Sequence, residues 1–297
     1  MKYNKQPLDI PALLVMLKAR GLIINDEEQA RRTLSIVSYF RLANYLRPME
    51  ADKETHQYKP DSSFENAVAL YQFDATLREI VFRAISNIEI ALRSKMIHHF
   101  SLKYGPFWFT DMSICNDEHL FLENLNAIDR EVRRSKEDYI KEHFSKYKDS
   151  AFPPAWKAME LLSLGTLAKL FFNASDNKVK KKIAREFGLP NHLAFESWMN
   201  SIAALRNCCA HHARIWNRNY PVTPDLPKRL HSAWIKDTAT PFNKLYAQLC
   251  CIAYWLNSID PENTFTADIK ALLQKYPTVN PAAMGMVKNW QDEPLWK

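Results

Sequence analysis

The feature that most constrains this chain is the run of residues 64–100, which contains no glycine and no proline. Apolar side chains recur through it at the period of an α-helix, namely Leu70, Phe73, Leu77, Ile80, Ala84, Ile88, Ala91 and Leu92. At about 1.5 Å per residue, one helix over this run is roughly 55 Å long. We therefore predict that it forms the spine of a helical domain.

The composition favours helices over sheets throughout the chain. The 297 residues include only five glycines, and long runs of Leu, Ala, Lys, Arg and Glu separate few turn signals. With 47% hydrophobic residues, the chain can bury a large core as one elongated domain or as two packed lobes. We predict an all-α fold whose lobes divide at residues 151–154, because the two prolines there cannot lie inside a helix.

This division predicts three regions, residues 1–150, residues 151–260 and a tail of residues 261–297. The tail holds Pro277, Pro281 and Pro294 around one short helix, and we predict that it is peripheral. Within the first region, a helix is predicted to run without a break from Asp26 to just before Pro48.

The sequence argues against several classes of functional site. The five cysteines show neither a zinc spacing nor a disulfide framework, so we predict buried thiols, no metal and no cofactor. A phosphate-binding loop with Gly-Lys-Ser or Gly-Lys-Thr is absent from the sequence, which argues against a kinase. The sequence also lacks the paired acidic cluster of a magnesium nuclease.

Charge and hydropathy bear on partners and location. A net charge of +7 permits binding to a polyanion, although many soluble proteins are as basic. The first residues lead to no continuous apolar run, and no uncharged window reaches about eighteen residues. We predict a cytoplasmic protein that makes no membrane contact.

Chemistry-bearing side chains are densest in residues 205–218. If residues 198–216 form one helix, its buried stripe consists of Trp198, Ile202, Leu205, Cys209 and Trp216. On the opposite face Asn207, His211 and Arg214 follow at i, i+4 and i+7, and Arg206 lies at the flank. An amide, an imidazole and two guanidiniums are thus predicted to converge.

Such a group suits the cleavage of RNA. Arginine binds phosphate with a planar charged fork, and histidine transfers protons near neutral pH. RNA supplies its own nucleophile, the 2′-hydroxyl, so a metal is not required and DNA is spared. An equally open alternative is that these histidines and arginines bind the last carbonyls of the helix and favour its dipole.

Residues 206–218 read Arg-Asn-Cys-Cys-Ala-His-His-Ala-Arg-Ile-Trp-Asn-Arg and resemble the signature of the Abi family of bacterial abortive-infection proteins, whose core is a HEPN domain. HEPN ribonucleases carry Arg, a polar residue, a few variable positions and then His, and Arg206, Asn207 and His211 match this order. Residues 38–48, 88–93 and 153–167 resemble further segments of the family. The resemblance runs from about residue 8 to about residue 255.

The resemblance implies an all-α, HEPN-like helical bundle with an additional helical lobe. It also implies a metal-independent endoribonuclease that leaves 2′,3′-cyclic phosphate and 5′-hydroxyl ends. His211 would act as general base or acid, Arg206 would stabilise phosphate charge and Asn207 would orient the reacting groups. The supporting or RNA-binding residues of this site are His212, Arg214 and Arg218.

The implied partners follow from the same resemblance. One Arg and one His supply half of the acid and base groups that such a cleavage prefers, so we expect two copies of the motif to meet in a homodimer, as HEPN nucleases commonly do. The implied role is phage defence by cleavage of host or phage RNA. A toxin of this kind needs restraint, for which a partner protein or a small structured RNA is expected.

A second set of residues has a similar spacing. Arg93 and His98 repeat the interval between Arg206 and His211, although related sequences place the histidine one position later, at His99. Glu89 is spaced to pair with Arg93 at i, i+4, which we interpret as structural. We expect this set to position the main site or to bind RNA, rather than to catalyse.

Two further basic segments are candidates for RNA contact. Arg41 lies among arginines and tyrosines that suit phosphate binding and base stacking, or else a packed core with a solvated face. The densest basic run, predicted to be exposed, consists of Lys178, Lys180, Lys181, Lys182 and Arg185.

Two other functions compete with the nuclease. In the first, the same arginines and histidines bind RNA or a nucleotide and the protein is a non-catalytic sensor or scaffold. In the second, the chain is a helical adaptor in which these side chains are structural.

Overall fold

The computed structural model describes residues 6–237 and 239–297. This part of the chain contains twelve α-helices and no β-strand, so the predicted all-α fold is confirmed. The helices are α1 (Ile10–Ala19), α2 (Glu27–Ile36), α3 (Tyr39–Leu46), α4 (Phe64–Tyr104), α5 (Glu118–Arg134), α6 (Asp138–Lys146), α7 (Ala155–Ala158), α8 (Leu164–Asn173), α9 (Asn177–Glu186), α10 (His192–Ala210), α11 (Leu245–Ile259) and α12 (Phe265–Lys275). None of the described helices combines the length and the apolar character needed to cross a bilayer.

The helices group into two compact units. The first comprises the described chain up to Leu77 together with Leu272–Val279, and the second comprises Arg78–Ala271 with Asn280–Lys297. Both units therefore share the long helix α4. The division of the chain near residue 150 stays a prediction.

In the first unit, the helix predicted from Asp26 to Pro48 is two helices, and the prediction of one continuous helix was wrong. α2 ends at Ile36, and the hydroxyl of Ser38 accepts a hydrogen bond from the Arg41 amide at 3.4 Å to begin α3. Serine competes for backbone donors in this way, which favours a new helix start over continuation.

The helix α4 has the predicted extent and continues four residues further, to Tyr104. Gly105 follows it in the left-handed region, with φ of 84°, where glycine is the residue of least steric cost. In the second unit α4 buries one helical face, formed by Val81, Ile85, Ile88, Leu92, Met96 and Phe100. Of the apolar positions predicted in this part of α4, Ala84, Ile88 and Leu92 are buried, whereas Ile80 and Ala91 are only partly buried.

The helix α11 is the most buried element of the second unit, because every residue from 245 to 256 is buried. Its Trp255 packs against Phe195 and Trp198 of α10, with ring centroids 4.9 Å and 5.7 Å away. Large aromatic contacts of this kind bury 150–250 Å² per ring, as a rough guide, and dominate core energetics. They hold α10 along its apolar side.

The tail after residue 260 is part of the core, which corrects its description as peripheral. Trp296 is fully buried and stacks on Tyr246 of α11 at 5.7 Å, and it meets Trp290 edge-on at 5.0 Å. Prolines interrupt helices there, but the two tryptophans have enough apolar area to favour burial.

A buried ion pair joins α9 to α10. Lys180 Nζ lies 2.5 Å from Glu196 Oε1 and donates to the carbonyls of Phe172 and Ala174 at 3.3 Å each. Lys180 is only 3% exposed, so its prediction as part of an exposed run was wrong. Its position beside Val179 and Ile183 on the core side of α9 explains the difference, since a buried cation is retained where it finds a carboxylate and carbonyls.

Asp176 caps the first turn of α9. Its carboxylate accepts hydrogen bonds from the Lys178 and Val179 amides at 2.9 Å and 3.2 Å, and also from the Tyr104 hydroxyl at 2.6 Å and from Lys103. Burial acts to raise the pKa of Asp176, but the hydrogen bonds from Lys103, Tyr104 and the amides outweigh it and lower the pKa to about 2.

We predict that Asp176→Asn lowers the free energy of unfolding by about 1–2 kcal/mol near neutral pH, because asparagine keeps the cap but loses the charge. Since folding depresses this pKa, the stabilisation is complete above the ordinary carboxyl pKa and is lost as the pH falls from about 4 to about 2. Urea unfolding of both proteins at a series of pH values measures the difference. A difference that stays constant down to pH 2 would contradict this assignment.

Candidate functional site

The helix α10 ends at Ala210, so the prediction of one helix through Trp216 was wrong. The His212 amide donates to the Cys209 carbonyl at 3.0 Å, and the Ala213 amide donates to the Cys208 carbonyl at 2.9 Å. These two bonds, with His212 in the left-handed region at φ of 54°, form a Schellman cap. The chain therefore leaves the helix within the candidate motif itself.

This cap bears on the alternative that the histidines serve as helix caps. The carbonyls of Asn207, Cys208 and Cys209 accept hydrogen bonds from the backbone amides of residues 211–213. The imidazole of His211 is therefore not needed for these acceptors. Both His211 and Asn207 are exposed, and within residues 6–237 and 239–297 the His211 imidazole has no hydrogen-bond partner.

The residues after the cap form a packed turn instead of a further helical turn. Ile215 and Trp216 are buried, and the Tyr220 hydroxyl donates to the Ile215 carbonyl at 3.1 Å. Trp216 is thus buried as predicted, although it does not belong to a helical stripe. Arg214 also lies outside the helix, so its predicted i+7 relation to Asn207 does not hold.

Arg206 is held by α4 on the other side of the site. Its guanidinium lies over the ring of Phe82 at 5.6 Å, and its Nε is 3.8 Å from Glu89 Oε2. The side chain remains 29% exposed. Phe82 was missed from the sequence, although its place seven residues before Glu89 puts both on one face of α4.

Glu89 also binds Arg93, as the i, i+4 spacing predicted. Arg93 Nη2 lies 3.1 Å from Glu89 Oε1 and donates to the Leu162 carbonyl at 2.9 Å, and its Nη1 is 3.6 Å from Glu160 Oε2. Arg93 is buried, and its partners at residues 160 and 162 come from a part of the chain that sequence spacing did not connect to it. One carboxylate therefore lies between two guanidiniums, one buried and one partly exposed.

The two histidines near the end of α4 have different environments. His98 is exposed, whereas His99 is buried and its Nε2 lies 2.7 Å from Glu186 Oε1. Lys95 Nζ contacts the other oxygen of Glu186 at 2.7 Å. Burial raises the pKa of Glu186, but the bonds from Lys95 and His99 give a net lowering. His99 is thus held by a carboxylate, while His98 is accessible.

The remaining candidates lie on three other elements. Lys181 and Lys182 are exposed on α9, as predicted. Arg218 lies after the cap, with its guanidinium 5.7 Å from the centre of the Tyr220 ring. Arg41 lies on α3, which belongs to the first compact unit.

The described residues contain no cluster of three or more His, Cys, Asp or Glu side chains placed to hold a metal ion.

Among the thiols, burial raises the pKa of Cys250 to about 12 and that of Cys251 well above its ordinary value. Buried thiols of this kind are poor nucleophiles.

The comparisons with known proteins give one family. Residues 32–217 match the family described as Abi-like protein. This match lies inside the span of about residues 8–255 over which the sequence resembles the family. Neither a curated protein nor a solved structure matches the chain.

We predict that His212→Gly is more stable than His212→Ala by about 1 kcal/mol. Both changes remove the imidazole, so the comparison isolates the cost of a Cβ in the left-handed conformation of the cap. Thermal and urea unfolding of the two variants measures the difference. Equal stabilities would show that residue 212 does not hold this conformation in solution.

We predict that Glu89→Ala lowers the free energy of unfolding by about 2–4 kcal/mol, because it leaves the Arg93 guanidinium buried without its nearest carboxylate. The matched control is Glu28→Ala, which removes a glutamate from an i, i+4 pair with Arg32 in which both side chains are at least 70% exposed. The control should cost under about 0.5 kcal/mol. Similar losses in the two variants would overturn the structural role of Glu89.

Proposed function

The chain belongs to the Abi-like protein family, and from this premise we propose that it is a metal-independent endoribonuclease of the HEPN type, acting in the cytoplasm. Family membership supports a role in abortive infection, the defence in which an infected bacterium stops growing and denies the phage its progeny. The finer proposal concerns the chemistry of that defence. It rests on the end of α10.

The observation that carries the proposal is that the last turn of α10 has an exposed histidine and, five residues before it, a partly exposed arginine, and needs neither for capping. His211 and Asn207 are exposed there, and the carbonyls of the last turn are bound by backbone amides. Arg206 lies against Phe82 and Glu89 of α4, and its side chain is 29% exposed. Polar side chains that a fold does not use are candidates for function.

The proposed reaction is transesterification within the RNA strand. His211 accepts the proton of a 2′-hydroxyl, whose oxygen forms a bond to the adjacent phosphorus as the bond from phosphorus to the 5′-oxygen breaks. Arg206 stabilises the charge that develops on the phosphorane oxygens, and Asn207 orients the phosphate. The departing 5′-oxygen takes up a proton, so the products are a 2′,3′-cyclic phosphate and a 5′-hydroxyl.

The proton donor for the leaving oxygen is proposed to come from a second copy of the chain. One Arg206 and one His211 per chain supply one proton-transfer group, and a homodimer that joins two motifs supplies both. His212, Arg214 and Arg218 are proposed to bind RNA beside this pair. Restraint by a partner protein or a small structured RNA belongs to the same proposal, since unregulated cleavage would kill an uninfected cell.

A second candidate is a non-catalytic sensor or scaffold that binds RNA or a nucleotide. The position of Glu89 favours it, since this carboxylate lies beside Arg206 and reduces the positive charge available to a transition state. Binding of ground-state phosphate tolerates such a neighbour better than catalysis does. The two candidates therefore differ in whether removal of His211 changes cleavage or leaves function intact.

The deciding experiment is cleavage of an end-labelled single-stranded RNA in the presence of EDTA, with analysis of the product ends. We predict cyclic-phosphate ends from the wild type, and a loss of at least about 100-fold in rate for His211→Ala and for Arg206→Ala. Arg206→Lys should recover part of the rate, because it restores the charge without the planar fork.

The matched control is His119→Ala, which removes another exposed histidine, on α5. It should cleave at the wild-type rate, and unfolding curves should show that all four variants are folded. If the wild type binds RNA but does not cut it, and His211→Ala binds equally well, the nuclease proposal fails and the sensor is supported.

A further inference from the structure

The helix α9 presents a single stripe of cations to solvent. Its exposed basic residues follow at i, i+3, i+4 and i+7, at Lys178, Lys181, Lys182 and Arg185. Four residues of the opposite side, Val179, Lys180, Ile183 and Ala184, are buried. The stripe is therefore one line of charge along the helix, which is the form that follows a phosphate backbone.

A second basic segment packs across α10. This crossing segment, residues 213–237, leaves the cap at the end of α10 and runs back towards the start of that helix. The Ser201 hydroxyl donates to the Val222 carbonyl at 3.1 Å, and further along the segment the Asp225 amide donates to the Ser197 hydroxyl at 2.8 Å. As the segment advances, its contact point on α10 moves to lower residue numbers.

Tyr254 of α11 brings the crossing segment to the end of α9. Its hydroxyl accepts hydrogen bonds from the His231 and Ser232 amides at 3.2 Å and 3.3 Å, and it donates to the Gly188 carbonyl at 2.7 Å. Gly188 lies two residues after α9. A single buried hydroxyl thus fixes the later part of the crossing segment, at residues 231 and 232, close to the end of the helix that carries the cationic stripe.

The crossing segment is basic where it approaches α9. Lys228, Arg229 and His231 are exposed, and the nearest acidic residue before them is Asp225. In contrast, the exposed Arg133 of α5 is paired within its own helix, with Asp129 at 2.6 Å. Cations that have carboxylate partners contribute little to phosphate binding, so the two surfaces are not equivalent.

We propose that the crossing segment and the α9 stripe form one binding track for single-stranded RNA that leads away from the end of α10. This inference rests on the proposed nuclease for the identity of the polymer. In-line attack by a 2′-hydroxyl needs a backbone free to rotate, which favours a single strand over a base-paired helix. An extended cationic track suits a phosphate backbone better than a protein segment.

The geometry also sets the length of RNA that the track accommodates. The helix α10 has 19 residues. At about 1.5 Å per residue it separates its two ends by about 28 Å. At the axial rise of about 3.4 Å per nucleotide of a stacked strand, this span corresponds to at most about eight nucleotides. Binding should therefore strengthen with RNA length up to about this size and then level off.

The test measures binding separately from cleavage by using 2′-O-methyl RNA, which lacks the nucleophile and stays intact. Fluorescence anisotropy gives the Kd for lengths from about four to about sixteen nucleotides at several salt concentrations. The variants are two double substitutions, Lys181→Ala with Lys182→Ala, and Lys228→Ala with Arg229→Ala. The matched control, Arg133→Ala with Lys141→Ala, removes the same charge from residues that are each paired with an aspartate.

We expect each of the two test variants to raise the Kd of the longer RNAs about tenfold at physiological salt. Each should also make the slope of log K against log salt shallower by about 1.4, because each removes two phosphate contacts and one contact on a single strand contributes about 0.7. The control should change the Kd less than about twofold. In cleavage assays the same variants should raise KM and leave kcat unchanged for RNA longer than the track.

The outcomes separate the two proposals. If the test variants bind like the control, or if the wild type does not bind these RNAs, the track is overturned, whether or not RNA is cleaved. If the wild type binds with the expected length and salt dependence but never cleaves RNA, the nuclease proposal fails and the track stands. If the test variants lose affinity for a DNA strand and for RNA alike, the track is supported and binds the phosphate backbone that both polymers share.

Discussion

The candidate site depends on the ion pairs that the carboxylate of Glu89 makes with two arginines. This carboxylate lies between the buried guanidinium of Arg93 and the partly exposed guanidinium of Arg206, and so joins the core of the second unit to the end of α10. Without Glu89 the buried guanidinium of Arg93 would keep only the more distant carboxylate of Glu160, at 3.6 Å, and the low-dielectric interior penalises a poorly paired charge strongly. The core and the site are therefore not independent, because the residue that stabilises one also orients the other.

The end of α10 shows how backbone capping leaves side chains available. The Schellman cap satisfies the last carbonyls through amides alone, at the cost of placing His212 in a left-handed conformation that glycine would hold with less strain. His211 and Asn207 consequently face solvent with no structural task in the cap. Ile215 and Trp216 are buried where the chain turns back over α10, so the exposed His211 and Asn207 lie next to a well-packed part of the core.

The many cations of this protein fall into two groups, according to whether a carboxylate lies beside them. Lys180, Arg93 and Lys103 lie next to carboxylates and hold helices together. Others, such as Lys181 and Lys182, lie on the outside of α9. A net charge of +7 says nothing about this division. The location of each cation relative to the acids decides which of them are available to a polyanion, because a paired charge in water contributes little further attraction.

The sequence by itself determined the all-α fold, the extent of α4 and the family, because helix period and a contiguous motif are local properties of the chain. It also determined the Glu89–Arg93 pair, since i, i+4 neighbours meet on any helix. The end of α10 at Ala210 is also local, a Schellman cap within residues 208–213, but the sequence did not reveal it because His212 takes the left-handed position that glycine usually holds. Only the tertiary structure decided that Phe82 and Glu89 hold Arg206, and that Lys180 and the tail tryptophans are buried. Those outcomes depend on contacts between segments far apart in the chain, where packing and ion pairing outweigh the local preference of each residue.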